Sequence, residues 1–131
     1  MKSFESVQAA ADYVAQAEGA PARHFALSAQ KPTSSMVYDT DFVAAQGDHP
    51  PPIVLWFGST DETNSLSAEA NALVTTHVHI PMRGMGVSLN QAVGFTIILS
   101  EVTRQRLVSK LNFTLDEAGQ AALVAAMTAK Q

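Results

Sequence analysis

The sequence predicts an α/β fold in which a mostly parallel sheet is flanked by helices. Extended and helical patterns alternate along its 131 residues, as such a fold requires. Residues 53–57 are apolar at every position, which is typical of a central parallel strand covered on both faces. Residues 77–80 lead through a glycine-containing loop into a long helix, an arrangement that builds small-molecule sites at the carboxyl ends of strands.

The spacing of apolar residues sets the expected elements. Strands are expected at residues 24–27, 36–38, 53–57 and 77–80. Helices are expected at residues 3–17, 68–74, 89–113 and 115–130. The last helix carries a stripe of small residues suited to close packing on another helix. Residues 44–52 are predicted to form a loop, because their prolines exclude a helix interior or a central strand.

Local signals predict where the helices begin and end. Gly19 is suited to terminate the first helix. Ser67 and Ser88 are the predicted N-caps of the second and third helices, because a serine hydroxyl accepts a hydrogen bond from a free backbone N–H group. Thr114 and Glu117 form a capping box before the last helix. These signals divide the chain into the elements of one domain.

Composition limits the classes of function. One domain over residues 1–131 is expected at this length. Neither a membrane-spanning run of about eighteen apolar residues nor a signal-peptide core is present. The absence of cysteine excludes disulfides and thiolate sites and is compatible with a cytoplasmic location, which we expect. The net charge of −4 disfavours broad electrostatic binding to nucleic acid.

The stretch after residue 78 carries the residues that identify a family. In the loop of residues 82–87, Gly84 and Gly86 can adopt positive φ or let a ligand approach the backbone. The distinctive residues are Ile80-Pro81-Met82, Gly84-Met85, Ser88-Leu89-Asn90, Glu101 and Arg104-Gln105-Arg106. Together they resemble the third motif of the SpoU (TrmH-like) RNA ribose 2′-O-methyltransferases, which belong to the knotted SPOUT superfamily.

Other parts of the chain match this family less closely. Phe57-Gly58 and Leu66-Ser67 resemble the two ends of its second motif, but Ser59-Thr60 replaces the usual Asn-Glu pair between them. The first motif, with an asparagine and an arginine after the first strand, is not found in the sequence. The chain therefore resembles a member that is shortened at its N-terminus and lacks the usual catalytic arginine.

The resemblance implies a fold, a cofactor and partners. The fold is SPOUT-like, with a trefoil knot near the C-terminus, and the cofactor is S-adenosylmethionine. The residues implied in cofactor binding are Phe57, Gly58, Ile80, Met82, Gly84, Ser88 and Leu89. Asn90, Ser88 and Arg83 are the candidates for catalysis. The implied substrate is tRNA or rRNA and the implied assembly is a homodimer, whereas neither DNA nor a membrane is expected as a partner.

Several of these residues have a simpler explanation. Ser88 is also a plain helix cap, Asn90 is also a surface polar residue, and Glu101 is also a structural ion-pair residue. Arg104 and Arg106 are better explained by a solvated helix face than by RNA contact. His77 and His79 share one face of a strand, but the sequence nearby offers no further ligand for a metal, and no metal is expected.

Two main functions therefore compete. The first is an S-adenosylmethionine-dependent RNA ribose 2′-O-methyltransferase of SpoU type. The alternative is a catalytically weak or inactive SPOUT-like module that binds the cofactor or a protein or RNA partner. The missing first motif and the acidic balance favour the alternative, and the complete third motif favours the enzyme. An unrelated nucleotide-binding α/β domain is a third, less favoured explanation.

Overall fold

The structure is a computed structural model that describes residues 2–29, 32–44, 50–58, 66–84, 89–109 and 117–129. Its strands are β1 (Arg23–Leu27), β2 (Ser35–Met36), β3 (Ile53–Trp56) and β4 (Thr76–His79). Its helices are α1 (Val7–Glu18), α2 (Ala68–Leu73), α3 (Gln91–Val108) and α4 (Glu117–Thr128), and a 3₁₀ turn covers Val37–Asp39. The strands form one parallel sheet in the order β2-β4-β1-β3. The predicted α/β class with a parallel sheet flanked by helices is confirmed.

The central position predicted for residues 53–57 is wrong. β3 lies at one edge of the sheet, pairs with β1 and ends at Trp56. Its four residues are all half-buried. Ile53 and Leu55 pack against the core on one face of the strand. Trp56 points to the opposite face, where its ring stacks on His24 and its indole N–H donates a hydrogen bond to the His24 Nδ1 at 3.0 Å.

The ends of the first two helices follow their local signals closely. Gly19 ends α1 in the left-handed conformation, with φ of 63°, as predicted. The expected start at residue 3 is wrong, because Ser6 caps the helix by accepting a hydrogen bond from the Ala9 N–H at 3.0 Å. Ser67 caps α2 through the Ala70 N–H, which confirms the prediction.

Three other boundaries differ from expectation or cannot be compared. The segment predicted as extended at 36–38 is mostly a 3₁₀ turn. Helix α3 ends at Val108, before the predicted residue 113. The predicted cap Thr114 lies outside the described residues, and α4 is described from Glu117.

The hydrophobic core lies between the sheet and α3. Its most buried members come from β1, β4, α3 and the segment after β2: Phe25, Val37, Phe42, Val78, Ile98 and Val102. Each such side chain contributes roughly 1.5–3 kcal/mol through burial. The core therefore fixes α3 across one face of the sheet. Ala26 of β1, whose side chain points to the face opposite Phe25, is also buried. Helix α1 contacts α2.

A buried polar group joins α3 to the segment after the 3₁₀ turn. The Gln105 carboxamide accepts a hydrogen bond from the Phe42 N–H at 2.9 Å and donates to the Thr40 carbonyl at 2.8 Å. It also donates to the Glu101 carboxylate at 2.9 Å, which is in turn paired with both Nε and an Nη of Arg104. We call these five residues the α3 clamp. Hydrogen bonding from Arg104 lowers the pKa of Glu101, so this carboxylate is charged at neutral pH.

None of the helices that the structure describes combines the length and the apolar character needed to cross a bilayer.

Candidate functional site

The candidate site lies where the polypeptide leaves the carboxyl ends of β3 and β4 and enters α3. Asn90 caps this helix, since its Oδ1 accepts a hydrogen bond from the Ala92 N–H at 2.9 Å. The predicted start at Leu89 with Ser88 as the cap is therefore wrong for the described helix. Asparagine and serine are equally good caps, so local sequence could not choose between them. Ser88 itself lies outside the described residues.

The end of β3 contacts the first turns of α3 at two points. The Gln91 Nε2 donates to the Gly58 carbonyl at 3.2 Å. One turn later, the Phe95 ring meets the Phe57 ring edge-on, with centroids 5.4 Å apart. Gln91 and Phe95 are four residues apart and therefore share one helix face. We call these four residues the β3–α3 clasp. It connects the second-motif residues to the helix of the third motif.

A close approach at Gly94 brings α3 onto the ends of the other strands. A Cβ atom at this position would lie 2.7 Å from Cδ2 of Leu27 and 3.8 Å from Cδ1 of Ile80. Leu27 ends β1, and Ile80 follows β4 directly. The absence of a side chain at Gly94 therefore lets the helix start close above the sheet.

The loop after β4 places apolar and polar groups at the same edge. Ile80 and Met82 are half-buried, and Ile80 packs against the core. Gly84 has a φ of 136°, a conformation that L residues rarely adopt, so the predicted positive φ is confirmed at this glycine, whereas Gly86 lies outside the described residues. Arg83 is exposed and makes no hydrogen bond or ion pair within the described part of the chain. Leu89, on the far side of residues 85–88, is 38% exposed.

The structure thus places only some of the predicted site residues against the start of α3. Phe57 and Gly58 contact the first turns of α3, and Ile80 approaches Gly94. The assignment of these residues to cofactor binding or catalysis stays a prediction. Gln91 and Phe95 were missed by sequence reasoning. Gln91 had no signal that separated it from a surface polar residue, and Phe95 was indistinguishable from a core residue of the helix.

The charged residues of the third motif have structural partners. Glu101 is buried and forms its ion pair with Arg104, which confirms the structural explanation for this carboxylate. Arg104 lies on the exposed helix face, as expected, whereas Arg106 is half-buried. Among the described residues, no three histidine, aspartate or glutamate side chains form a group that could hold a metal ion.

Comparison with solved structures identifies related proteins. The SpoU methyltransferase AviRb from Streptomyces viridochromogenes, in complex with AdoMet, is 32% identical with a TM-score of 0.58, over 78% of this chain and 37% of AviRb. A protein described through 2-OH methylation of C/U34 on tRNA is 28% identical with a TM-score of 0.56, over 79% and 58% of the two chains. An A. aeolicus TrmH/SpoU tRNA modifying enzyme shares the fold at 24% identity and a TM-score of 0.66, over 88% and 54%.

This chain therefore spans 37% of AviRb and 58% or less of the other two proteins. No protein-family model matches it, and no curated protein matches it significantly. The parallel α/β fold, the identity to AviRb and the residues of the third motif agree with one another. The chain belongs to the SpoU (TrmH-like) family of the SPOUT superfamily.

Proposed function

We propose that the chain is a SPOUT-like domain that binds S-adenosylmethionine and methylates a ribose 2′-oxygen of tRNA or rRNA. The observation that carries this proposal is the contact of Phe57 and Gly58 with the first turns of α3. It joins the second-motif and third-motif residues at one sheet edge, in a chain 32% identical to a SpoU methyltransferase with bound AdoMet. The proposed domain includes the C-terminal trefoil knot of this superfamily.

The residues at this edge suit a ligand with apolar and polar parts. The half-buried Phe57, Ile80 and Met82 supply apolar surface, and Leu89 lies beside the start of α3. The positive φ of Gly84 turns the backbone without a side chain, so backbone N–H and C=O groups are open to a ligand. S-adenosylmethionine supplies the methyl group when bound, and the chain supplies position and orientation. Ser88 is included in the proposed pocket through the resemblance alone.

Asn90 and Arg83 are proposed to serve the reacting ribose. Because the Oδ1 of Asn90 accepts from the Ala92 N–H, its Nδ2 is left to donate to a ligand. Arg83 has an exposed guanidinium group without a hydrogen bond to any other described residue. It is therefore suited to a phosphate of the RNA, or to the role of the arginine that the first motif usually supplies.

A homodimer is part of the proposal. The large apolar side chains exposed on the described α3 and α4 are Val93, Phe95, Leu99, Leu107, Val108, Leu123, Val124 and Met127. Four α3 residues, Ala92, Val93, Thr96 and Ile97, line a shallow depression of about 270 Å³. A second copy would cover this surface. Light scattering should then find a dimer, and Leu107→Asp, which changes a side chain that is 80% exposed, should shift it to monomer.

The proposal is tested by calorimetric titration of the folded chain with S-adenosylmethionine and S-adenosylhomocysteine. Asn90→Ala removes both the helix cap and the proposed ligand contact. Asn90→Asp keeps an N-cap oxygen but removes the amide donor. Both variants should bind the ligands more weakly, and Asn90→Asp should retain more stability. A folded wild-type chain that binds neither ligand would overturn the proposal.

Methyl transfer is tested separately with radiolabelled S-adenosylmethionine and total tRNA or rRNA. Label in ribose is expected, and Arg83→Ala should reduce it without changing cofactor affinity. Retained cofactor binding without transfer would favour the second candidate, a cofactor-binding module without catalysis. The observation that favours this candidate is the altered second motif, in which Ser59-Thr60 replaces the usual Asn-Glu pair.

A further inference from the structure

Helix α3 contacts the second-motif residue Gly58 through Gln91, a side chain that is not part of the third motif. Asn90 is committed to capping α3 through its Oδ1. The next residue, Gln91, instead reaches across to the Gly58 carbonyl, at 3.2 Å. A carbonyl oxygen only accepts hydrogen bonds, so the Gln91 amide must present its Nε2 to it. The orientation of this side chain is therefore fixed by chemistry.

We propose that Gln91 is a positioning residue for the cofactor site, an inference that rests on the proposed function. Its amide fixes the Gly58 carbonyl against the first turn of α3 and so sets the separation of the two motif segments. The Phe57–Phe95 contact fixes the same pair of elements one turn further along. The aromatic contact aligns the helix with the strand end, and the Gln91 hydrogen bond determines where the backbone at Gly58 faces the ligand.

The geometry separates this role from a general contribution to stability. Gln91 is exposed, and it bonds to a carbonyl beyond the last residue of β3. Loss of an exposed hydrogen bond leaves both partners accessible to water, so the folded chain should lose little. A cofactor seated between the two segments requires them to be in place. Without the Gln91 hydrogen bond, the cofactor would have to order these segments itself, and its affinity would fall.

The test is titration with S-adenosylhomocysteine. This ligand lacks the positive sulfonium of S-adenosylmethionine, so a carboxylate introduced by substitution does not attract it by that charge. Gln91→Met preserves length but removes the donor. The dissociation constant of the Gln91→Met variant for S-adenosylhomocysteine should rise about fivefold, which corresponds to the loss of one hydrogen bond of about 1 kcal/mol. Its thermal midpoint should match wild type. Gln8→Met is the matched control, because Gln8 is an exposed first-turn glutamine of α1 that donates to Asp12.

Gln91→Glu adds a second readout, the pH dependence of ligand affinity, which a purely structural role would not change. An ionised carboxylate cannot donate to the Gly58 carbonyl, whereas a protonated one can. Its affinity relative to wild type should therefore be reduced at pH 8 and recover towards pH 4.5, near the ordinary glutamate pKa of about 4.3. Gln91→Met should show no such recovery.

The outcomes distinguish this inference from the proposed function. Wild-type affinity in Gln91→Met, or a pH-independent deficit in Gln91→Glu, would overturn the positioning role and leave the proposed function intact. A folded wild-type chain that does not bind S-adenosylhomocysteine would overturn both.

Discussion

The two halves of α3 are attached to the rest of the protein in different ways. In the C-terminal half, Glu101 and Gln105 are 6% and 9% exposed, and their hydrogen bonds measure 2.7–2.9 Å. In the N-terminal half, Gln91 is exposed, its bond to Gly58 measures 3.2 Å, and Phe95 is 43% exposed. The same helix thus makes a buried polar contact in its C-terminal half and an exposed polar contact in its N-terminal half.

We expect this difference to place stability and the proposed ligand binding in separate parts of one helix. Buried polar groups are costly to leave unpaired, so the α3 clamp fixes the helix strongly. The β3–α3 clasp consists of one exposed hydrogen bond and one ring contact to the 43% exposed Phe95, so it holds the helix less strongly. A ligand bound beside it would stabilise it. Changes in the clamp should therefore reduce stability, and changes in the clasp should reduce affinity.

The largest effect on stability is expected for Gln105→Ala. It leaves the Phe42 N–H and the Thr40 carbonyl without their partner. The free energy of unfolding should fall by about 3 kcal/mol, because each buried unpaired group costs roughly 1–3 kcal/mol. Urea unfolding measures the change. Thr103→Ala, at an exposed position on the same helix, is the control and should change it by less than about 0.5 kcal/mol. Equal losses would contradict the contrast between clamp and surface.

A second prediction concerns the close packing of the N-terminal half. Gly94→Ala places a methyl group against Leu27, whereas Leu27→Ala removes the side chain that it meets. Gly94→Ala should therefore be more favourable in the Leu27→Ala background than in wild type, by about 1 kcal/mol. Urea unfolding of the two single variants and the double variant gives this coupling energy. Additive effects would show that the helix does not rest on the end of β1.

The smallest effect is the pH dependence of the clamp. Hydrogen bonding from Arg104 lowers the pKa of Glu101, so the folded chain favours the charged carboxylate. The associated stability is present above the ordinary carboxyl pKa and is lost as pH falls through the lowered pKa. The stability difference between wild type and Glu101→Gln should therefore shrink from pH 7 to pH 3, in thermal unfolding at each pH. Because Arg104 is exposed, the change should be small. A difference that grows on acidification would contradict this assignment.

Sequence reasoning succeeded where a few neighbouring residues decide the structure. Gly19 and Ser67 were identified from local capping chemistry alone, and both act as expected. The choice between Ser88 and Asn90 failed, because both are good caps and only the packing of the helix decides between them. The apolar character of β3 predicted a strand but could not show that it lies at an edge.

Long-range contacts were beyond prediction from one sequence. Gln105 is bonded to Thr40 and Phe42, which lie 65 and 63 residues earlier in the chain. No periodicity relates such positions. For the same reason, the motif pointed to Phe57 and Gly58 but gave no indication of Gln91 as their partner. The family motif pointed to the candidate site, and the three-dimensional structure was needed to show which contacts connect its residues.

The central claim is that the cofactor lies at the carboxyl edge of the sheet, between the ends of β3 and β4 and the start of α3. Chemical-shift mapping of backbone amides during titration with S-adenosylhomocysteine tests it most directly. The largest changes should occur at the proposed site residues Gly58, Ile80, Met82, Gly84, Leu89 and Asn90. The α3 clamp, at Thr40 and Gln105, should change little. Shifts that are centred on the clamp, or no shifts at saturating ligand, would contradict the account.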